Sequence, residues 1–336
     1  MKQKKIISSV MALAMAAGVI SGCSASEDAA QDDPVVIGVF DMPSLYLMQT
    51  FDDMGAFEEN GANVEFEFFP VYSDAISAFN TNNVDMIIYA CAEAVTPVVN
   101  GIDCKIIGVV DTSDGLDGIA AVSGIDSIED LAGKNVATEI GTVDHMMLQR
   151  ALAAHGMSES DINLINMSSG DAVAAMNGGS LDAVSTWEPQ LSAGAELGSI
   201  IYSTKDDPEL IADVFLIHTE ALDAGYDNVK AILKTWYEGI EKYSADPDSY
   251  STAAAEKGGL STEEFESYMS VTRLVTLEEN KTKFTYGSDD MVYLNVLLRN
   301  VGDFLKEGGL IEKELTDDMI SGMIDSRIID ELNSQG

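Results

Sequence analysis

From Pro34 to about residue 220, short apolar runs alternate with stretches whose apolar residues recur every three or four positions. Period-two or continuous apolar runs suit strands, the three-to-four spacing suits amphipathic helices, and their alternation builds parallel sheets covered by helices. The pattern predicts strands at Val35–Phe40, Val64–Phe69, Val84–Ala90, Lys105–Val110, Ile119–Ser123, Asn135–Glu139, Ile162–Asn166, Ala183–Trp187 and Val214–His218. Between them it predicts helices at Leu45–Asn60, Asp74–Asn82, Ala92–Asn100, Val143–His155, Asp171–Asn177 and Pro189–Leu197.

The last third is helical throughout: Asp227–Ala245, Ser249–Lys257, Thr262–Ser270, Asp289–Lys306 and Asp317–Leu332. Ser261 and Glu264 have the spacing of a capping box, and Ser288 precedes an acid-led turn. No internal repeat is visible. A chain of this length exceeds one comfortable core and suggests two lobes.

The amino terminus sets the compartment. Lys2, Lys4 and Lys5 precede an uncharged apolar run, Ile6–Ile20, which stops at Ser21, Gly22 and Cys23. This is the anatomy of a secretory signal, too short for a spanning helix. Ile20-Ser21-Gly22-Cys23 resembles the lipobox of bacterial lipoproteins, which implies a signal peptide over 1–22 and lipidation of Cys23. Residues 23–33 then read as a polar, acidic tether. Removing residues 1–22, with three lysines and no acid, takes the formal charge from −39 to −42. Such a surface repels nucleic acid and anionic lipid, so the expected membrane contact is the lipid alone.

Cys91 and Cys104 remain. In a strand–helix–strand unit with parallel strands they fall at opposite strand ends. A strand spans roughly 17–20 Å, whereas a disulfide needs Cα atoms within about 7 Å. Two free thiols are expected.

Ser127, Asp130, Leu131, Gly133 and Lys134 form an S-x-x-D-L-x-G-K run, followed by Val136, Gly141-Thr142, Ala151-Leu152 and Asn166-Met167. Asp171-Ala172, Ala174-Ala175-Met176, Gly179-Ser180-Leu181-Asp182-Ala183 and Trp187-Glu188-Pro189 come next. Upstream, Ala78-Phe79-Asn80 and Asn83-Val84-Asp85-Met86 sit where an "ALxxGxVD" pattern is expected, with Asn82-Asn83 in place of a small-Gly pair. Their order resembles the nitrate/sulfonate/taurine branch of ABC-importer binding proteins, which includes thiamine-precursor binders and has the type II periplasmic-binding-protein fold. The match covers about residues 35–220.

The resemblance implies an α/β clamshell with parallel-rich sheets and a helical tail. Lobe one would be 34–122 plus 215–336 and lobe two 123–214, with crossings near Ser123 and Val214–His218. It also implies a monomer that closes on a small molecule and docks on permease subunits.

Ligands in such sheets meet the carboxyl ends of strands, and each end offers candidates. Asp41, Ser44 and Tyr46 follow the first strand; Ser44 reads equally as a helix cap or a hydroxyl donor. Tyr89, Cys91 and Glu93 close the third, where Glu93 also suits a helix dipole. Gly141 and Thr142 open a second-lobe helix, with His145 on the same face as a packing or hydrogen-bonding residue. Trp187 is placed to stack on a ligand or to fill the core, and Glu188 to bind an amine or favour a helix start. Lys105 and Lys134 lie at strand beginnings, the wrong end. The loops therefore hold no Arg or Lys, while Asp41, Glu93, Asp144 and Glu188 crowd the rim. That favours an amine or ring nitrogens, as in an aminosulfonate or a pyrimidine.

No catalytic motif of the GxSxG, HExxH, GKS/T or paired CxxC kind occurs, and three histidines give no metal or triad spacing. No enzyme activity, metal or cofactor is expected. A pyrimidine-synthesis-type enzyme of the same fold and a ligand-sensing receptor component are the alternatives.

Overall fold

A computed structural model describes residues 33–206 and 210–334. The signal segment, Cys23 and nearly all of the tether lie outside the described residues.

Eleven strands form two sheets among the described residues. The first sheet holds β1 (Val35–Val39), β2 (Val64–Phe68), β3 (Met86–Ala90) and β4 (Cys104–Ser113). The second holds β5 (Asp117–Val122), β6 (Asn135–Thr138), β7 (Asn163–Asn166), β8 (Ala183–Trp187) and β9 (Gly198–Ser203). The chain then returns to the first sheet as β10 (Ala212–His218) and β11 (Thr272–Leu274). Spatial orders are β11-β4-β10-β3-β1-β2 and β7-β6-β8-β5-β9.

Burial follows the residue pattern. β3, Met-Ile-Ile-Tyr-Ala, is apolar on both faces and wholly buried, whereas β2 at the edge alternates acids with apolar residues and is half exposed. Helices flank the sheets: α1 (Pro43–Asp53), α2 (Ala56–Glu59), α3 (Tyr72–Asn80), α4 (Cys91–Val99), α5 (Val143–Ala154), α6 (Ser169–Asn177) and α7 (Gln190–Ala195). The carboxyl-terminal region is helical, led by Tyr226–Ala245, whose Trp236 is fully buried with its ring edge-on to Phe215 of β10. The α/β class with its helical tail is as expected.

Several local expectations change. The chain leaves the first sheet after Ser113 and rejoins it at Ala212, not near Ser123 and Val214–His218: the strand expected at Ile119–Ser123 pairs with β8 and β9 in the second sheet, and Val214–His218 lies within β10 of the first. β3 and β4 are not neighbours, because β10 lies antiparallel between them. Cys91 and Cys104 remain buried free thiols. Leu45–Asn60 divides at Met54–Gly55, where Gly55 adopts φ +80°, a left-handed turn that suits glycine. The helix expected from Asp289 begins at Leu294, since the Ser288 hydroxyl donates to adjacent Asp289 at 2.7 Å instead of capping it. Asp317–Leu332 forms two helices, Asp317–Met323 and Arg327–Ser334. The Ser261–Glu264 capping box is present.

Candidate ligand-binding site

Parallel strands bring their carboxyl ends to one edge, and β10, running the other way, adds its amino end there. In the first sheet that edge carries Phe40 and Asp41 after β1, Ala90 of β3, and Asp111, with Asp213 of β10 paired opposite both Ala90 and Asp111. In the second sheet it carries Thr138 of β6 and Trp187 of β8, the latter paired with Asp117 of β5. The two edges meet. The Trp187 indole donates from Nε1 to the Asp41 carbonyl at 3.0 Å, and the Val143 N–H at the start of α5 donates to Glu93 Oε1. The Ser73 N–H donates to Glu139 Oε2 at 3.3 Å.

Two cavities lie between the edges. The outer one, about 260 Å³, is bounded by Asp41 and Val71 on one side and by Glu139, Ser169 and Gln190 on the other. The inner one, about 20 Å³, touches Asp117, Asp213, Ala90 and Val143. Phe40, Tyr72 and Trp187 line both. These rings are mutually inclined: Phe40 and Tyr72 lie 4.5 Å apart between centroids, Tyr72 and Trp187 5.3 Å, Phe40 and Trp187 6.4 Å. They form a three-sided aromatic wall dividing the two spaces.

Besides Glu139 and Glu188, five carboxyl groups are buried: Asp117 and Asp213, which line the inner cavity, and Glu93, Asp111 and Asp144, which line neither. Burial disfavours their charged forms, and each charge raises its neighbours further. Burial pushes Glu93 up to about 8, although the Val143 N–H pulls the other way. Asp117 is pushed up to about 7 by burial and the charges of Asp111 and Glu188, against a bond from Ser113. Burial also holds Asp144 well above the usual carboxylate range, helped by Asp117, Glu139 and Glu93. Asp213 is likewise raised, by burial and then by the charge of Asp111 beside it. The Ser44 hydroxyl donates to Asp111 Oδ2, while Asp111 Oδ1 has no hydrogen-bond partner. Tyr72, Tyr89 and Cys91 are buried in the same region, where burial raises all three, and Lys283 acts on Cys91.

The residues named from sequence fall into distinct groups. Asp41 and Trp187 line the outer cavity, and Tyr46 supports Asp41 with a 3.0 Å bond. Ser44 is not a cap: the N-cap of α1 is Met42, and the Ser44 hydroxyl is committed to Asp111. Glu93 is the acceptor for the first N–H of α5, across the gap between sheets, so its dipole role concerns a second helix besides its own. Thr142 is the α5 N-cap, yet its hydroxyl donates to the Glu139 carbonyl at 2.7 Å. Gly141 sits at φ +94° and is exposed; its N–H donates to His145 Nδ1 at 3.2 Å. Glu188 accepts from the Ser192 N–H and hydroxyl at 2.9 and 2.7 Å, which is a helix-start role. Tyr89 and Cys91 are buried and border neither cavity.

Asp111, Asp117 and Asp213 were missed. Each is an acid next to an apolar strand run (Val109-Val110-Asp111, Asp117-Gly118-Ile119, Asp213-Val214-Phe215), and that interruption was the available signal. The strand ends converge only once β10 is known to return between β3 and β4.

The NMT1/THI5-like family profile matches residues 51–250, and the chain belongs to that family. Escherichia coli K12 has a taurine-binding periplasmic protein 20% identical over 194 residues, 57% of this chain and 61% of that protein. The match thus spans under two thirds of that relative. Among solved structures, the alkanesulfonate-binding protein SsuA of Xanthomonas axonopodis pv. citri, bound to MOPS, superposes with a TM-score of 0.72 at 18% identity. It covers 88% of this chain and 99% of that one. The periplasmic aliphatic sulphonate binding protein SsuA of E. coli gives 0.69 at 20% identity, covering 88% and 92%. These likenesses establish the type II binding-protein fold.

Proposed function

We propose that this chain is the extracytoplasmic solute-binding component of an ABC importer, held to the membrane by a lipid on Cys23. It captures a small organic solute between two lobes and presents the closed form to permease subunits. The lobes are 33–113 with 212–334 and 117–203, hinged at the two crossings. The observation that carries this reading is the enclosure of both cavities by facing sheet edges, tied by the Trp187–Asp41 and Glu93–Val143 bonds. Sites between hinged lobes close in this way. Relatives named for binding taurine and aliphatic sulfonates point to the same role.

An enzymatic reading has less support. Burial raises the Cys91 thiol far from its reactive thiolate form, and His145 is engaged by Gly141 and Glu159. Among the described residues no helix is long and apolar enough to cross a membrane, so attachment rests on Cys23.

Two measurements test the proposal. Native mass spectrometry of protein purified gently from its host should show one small-molecule adduct per chain, lost on denaturation. Protein that never carries an adduct, and whose melting no extract of small metabolites shifts, contradicts it. Cys23→Ala should move the folded protein from the membrane to the soluble fraction; retention in high salt would remove the lipid anchor from the account.

A further inference from the structure

Buried acceptors without donors lie at and behind the inner site. Glu93 Oε2, Asp117 Oδ2 and both oxygens of Asp144 are buried with no hydrogen-bond partner. These residues are at most 4% exposed. A buried polar atom left unpaired costs on the order of 1–3 kcal/mol, and folded proteins keep few of them. Of these residues Asp117 lines the inner cavity, and Glu93 and Asp144 lie behind it at Val143, which also lines the cavity, precedes Asp144 in the chain and donates its N–H to Glu93. By contrast, Glu188, nearer the opening, has both oxygens satisfied by Ser192.

We propose that this inner site takes a compact organic cation, an ammonium, amidinium or guanidinium, whose N–H groups meet the two acids that line it, Asp117 and Asp213, with Glu93 and Asp144 behind them, while its body lies against Phe40, Tyr72 and Trp187. The inference deepens the solute-binding reading and rests on it. N–H donors with positive charge are the complement of carboxylate oxygens that lack donors. Inclined aromatic faces attract cations through their ring quadrupoles, and such cages select alkylated or planar ones. No lysine or arginine lines either cavity, so a sulfonate or other anion would face several acids with no side-chain counter-charge. Among the described residues, no three His, Cys, Asp or Glu side chains gather closely enough to ligate one metal ion. The 20 Å³ inner space has room for little more than one water-sized group, so it receives the N–H end of the cation while the remainder extends along the rings towards the 260 Å³ outer cavity.

Calorimetric titration and thermal melts of the mature protein provide the test, at about 0.15 M salt, where exposed charges are screened beyond ~8 Å. Guanidinium, methylammonium and trimethylammonium chlorides serve as cationic probes, with ethanesulfonate as the anionic and taurine as the zwitterionic one. At least one cation should bind at one site per chain and raise the melting temperature. Asp117→Asn and Glu93→Gln should each weaken that binding at least tenfold while melting no lower than the parent. Glu263→Gln, an exposed change on the helix Thr262–Met269, should leave it unaltered. Should either site variant fail to fold, the other carries the comparison. Saturable binding of ethanesulfonate or taurine with all cations inert overturns the cation but leaves solute capture standing. Cation binding unchanged in both site variants places it on the acidic surface and also overturns the proposal. Silence from every probe, together with no adduct in native mass spectrometry, removes the solute-binding reading as well.

Discussion

The acids near the opening and those at or behind the inner cavity differ in what they are bonded to. Glu139 and Glu188 are mostly buried, yet each accepts backbone N–H groups, Ser169 and Ser73 for the first and Ser192 for the second. Glu93, Asp117 and Asp144 keep oxygens that nothing in the protein serves. Carboxylates of one chemical type thus divide into those that hold helix starts and those that oppose the fold unless something else arrives. A buried acid with its donors in place stabilises structure; one without them marks a place where structure has yielded to binding.

The sharpest way to break this contrast is pH. Glu93 rises from an ordinary 4.5 to about 8 on folding. Between those values the folded state holds a proton that the unfolded chain releases, so this group's contribution is full below 4.5 and is lost as pH rises through 8. At 1.36 kcal/mol per unit, the unliganded protein should lose up to about 4 kcal/mol from this group between pH 5 and pH 9. Glu93→Gln should flatten that slope in denaturant melts. An equal slope in parent and variant would show that Glu93 is not a buried acid of this kind. Affinity for a cation should move the other way, tightening as pH rises and the acids ionise.

Trp187 comes next in size. It is 9% exposed, packs edge-on to Phe40 and Tyr72, and bonds the Asp41 carbonyl. Truncation of a buried tryptophan costs about 3–5 kcal/mol, and the value here should fall at the low end because the ring borders open space. Trp187→Ala should also weaken ligand binding at least tenfold. Full stability loss with unchanged affinity would make the ring core alone. Glu188→Gln should have the smallest effect, a change within about 1 kcal/mol, because burial raises Glu188 too while the Ser192 N–H and hydroxyl oppose that shift. A change as large as that of Glu93→Gln would erase the distinction between the two sets of acids.

Much of this was legible in the residues. Nine of the eleven strands stood out because buried strands such as Met86–Ala90 are unbroken apolar runs. β9 was overlooked because Gly198–Ser203 opens on Gly and Ser and is only partly buried, and Thr272–Leu274 because a three-residue strand has no period to read. At the site, Asp41 and Trp187 were found as strand-end residues, but Thr142 and Glu188 had local partners, and Ser44 the distant Asp111, that spacing alone does not reveal. The deeper acids escaped notice since their meaning depends on residues a hundred positions away: Asp213 is placed by Asp111 across a ladder that sequence order conceals.

The return of β10 into the middle of the first sheet also has a bearing on how the chain matures. β5 to β9 is one continuous stretch, complete by Ser203, whereas the first sheet has a gap between β3 and β4 that only Ala212–His218 fills. A protein exported amino end first would finish its second sheet while the first still had an open slot with two unpaired edges. Such edges invite foreign strands, and pairings between distant segments are slow to form. The window of greatest risk for misassembly is thus set by when residue 218 emerges. It is also the interval in which a chaperone at the membrane surface would have most to protect.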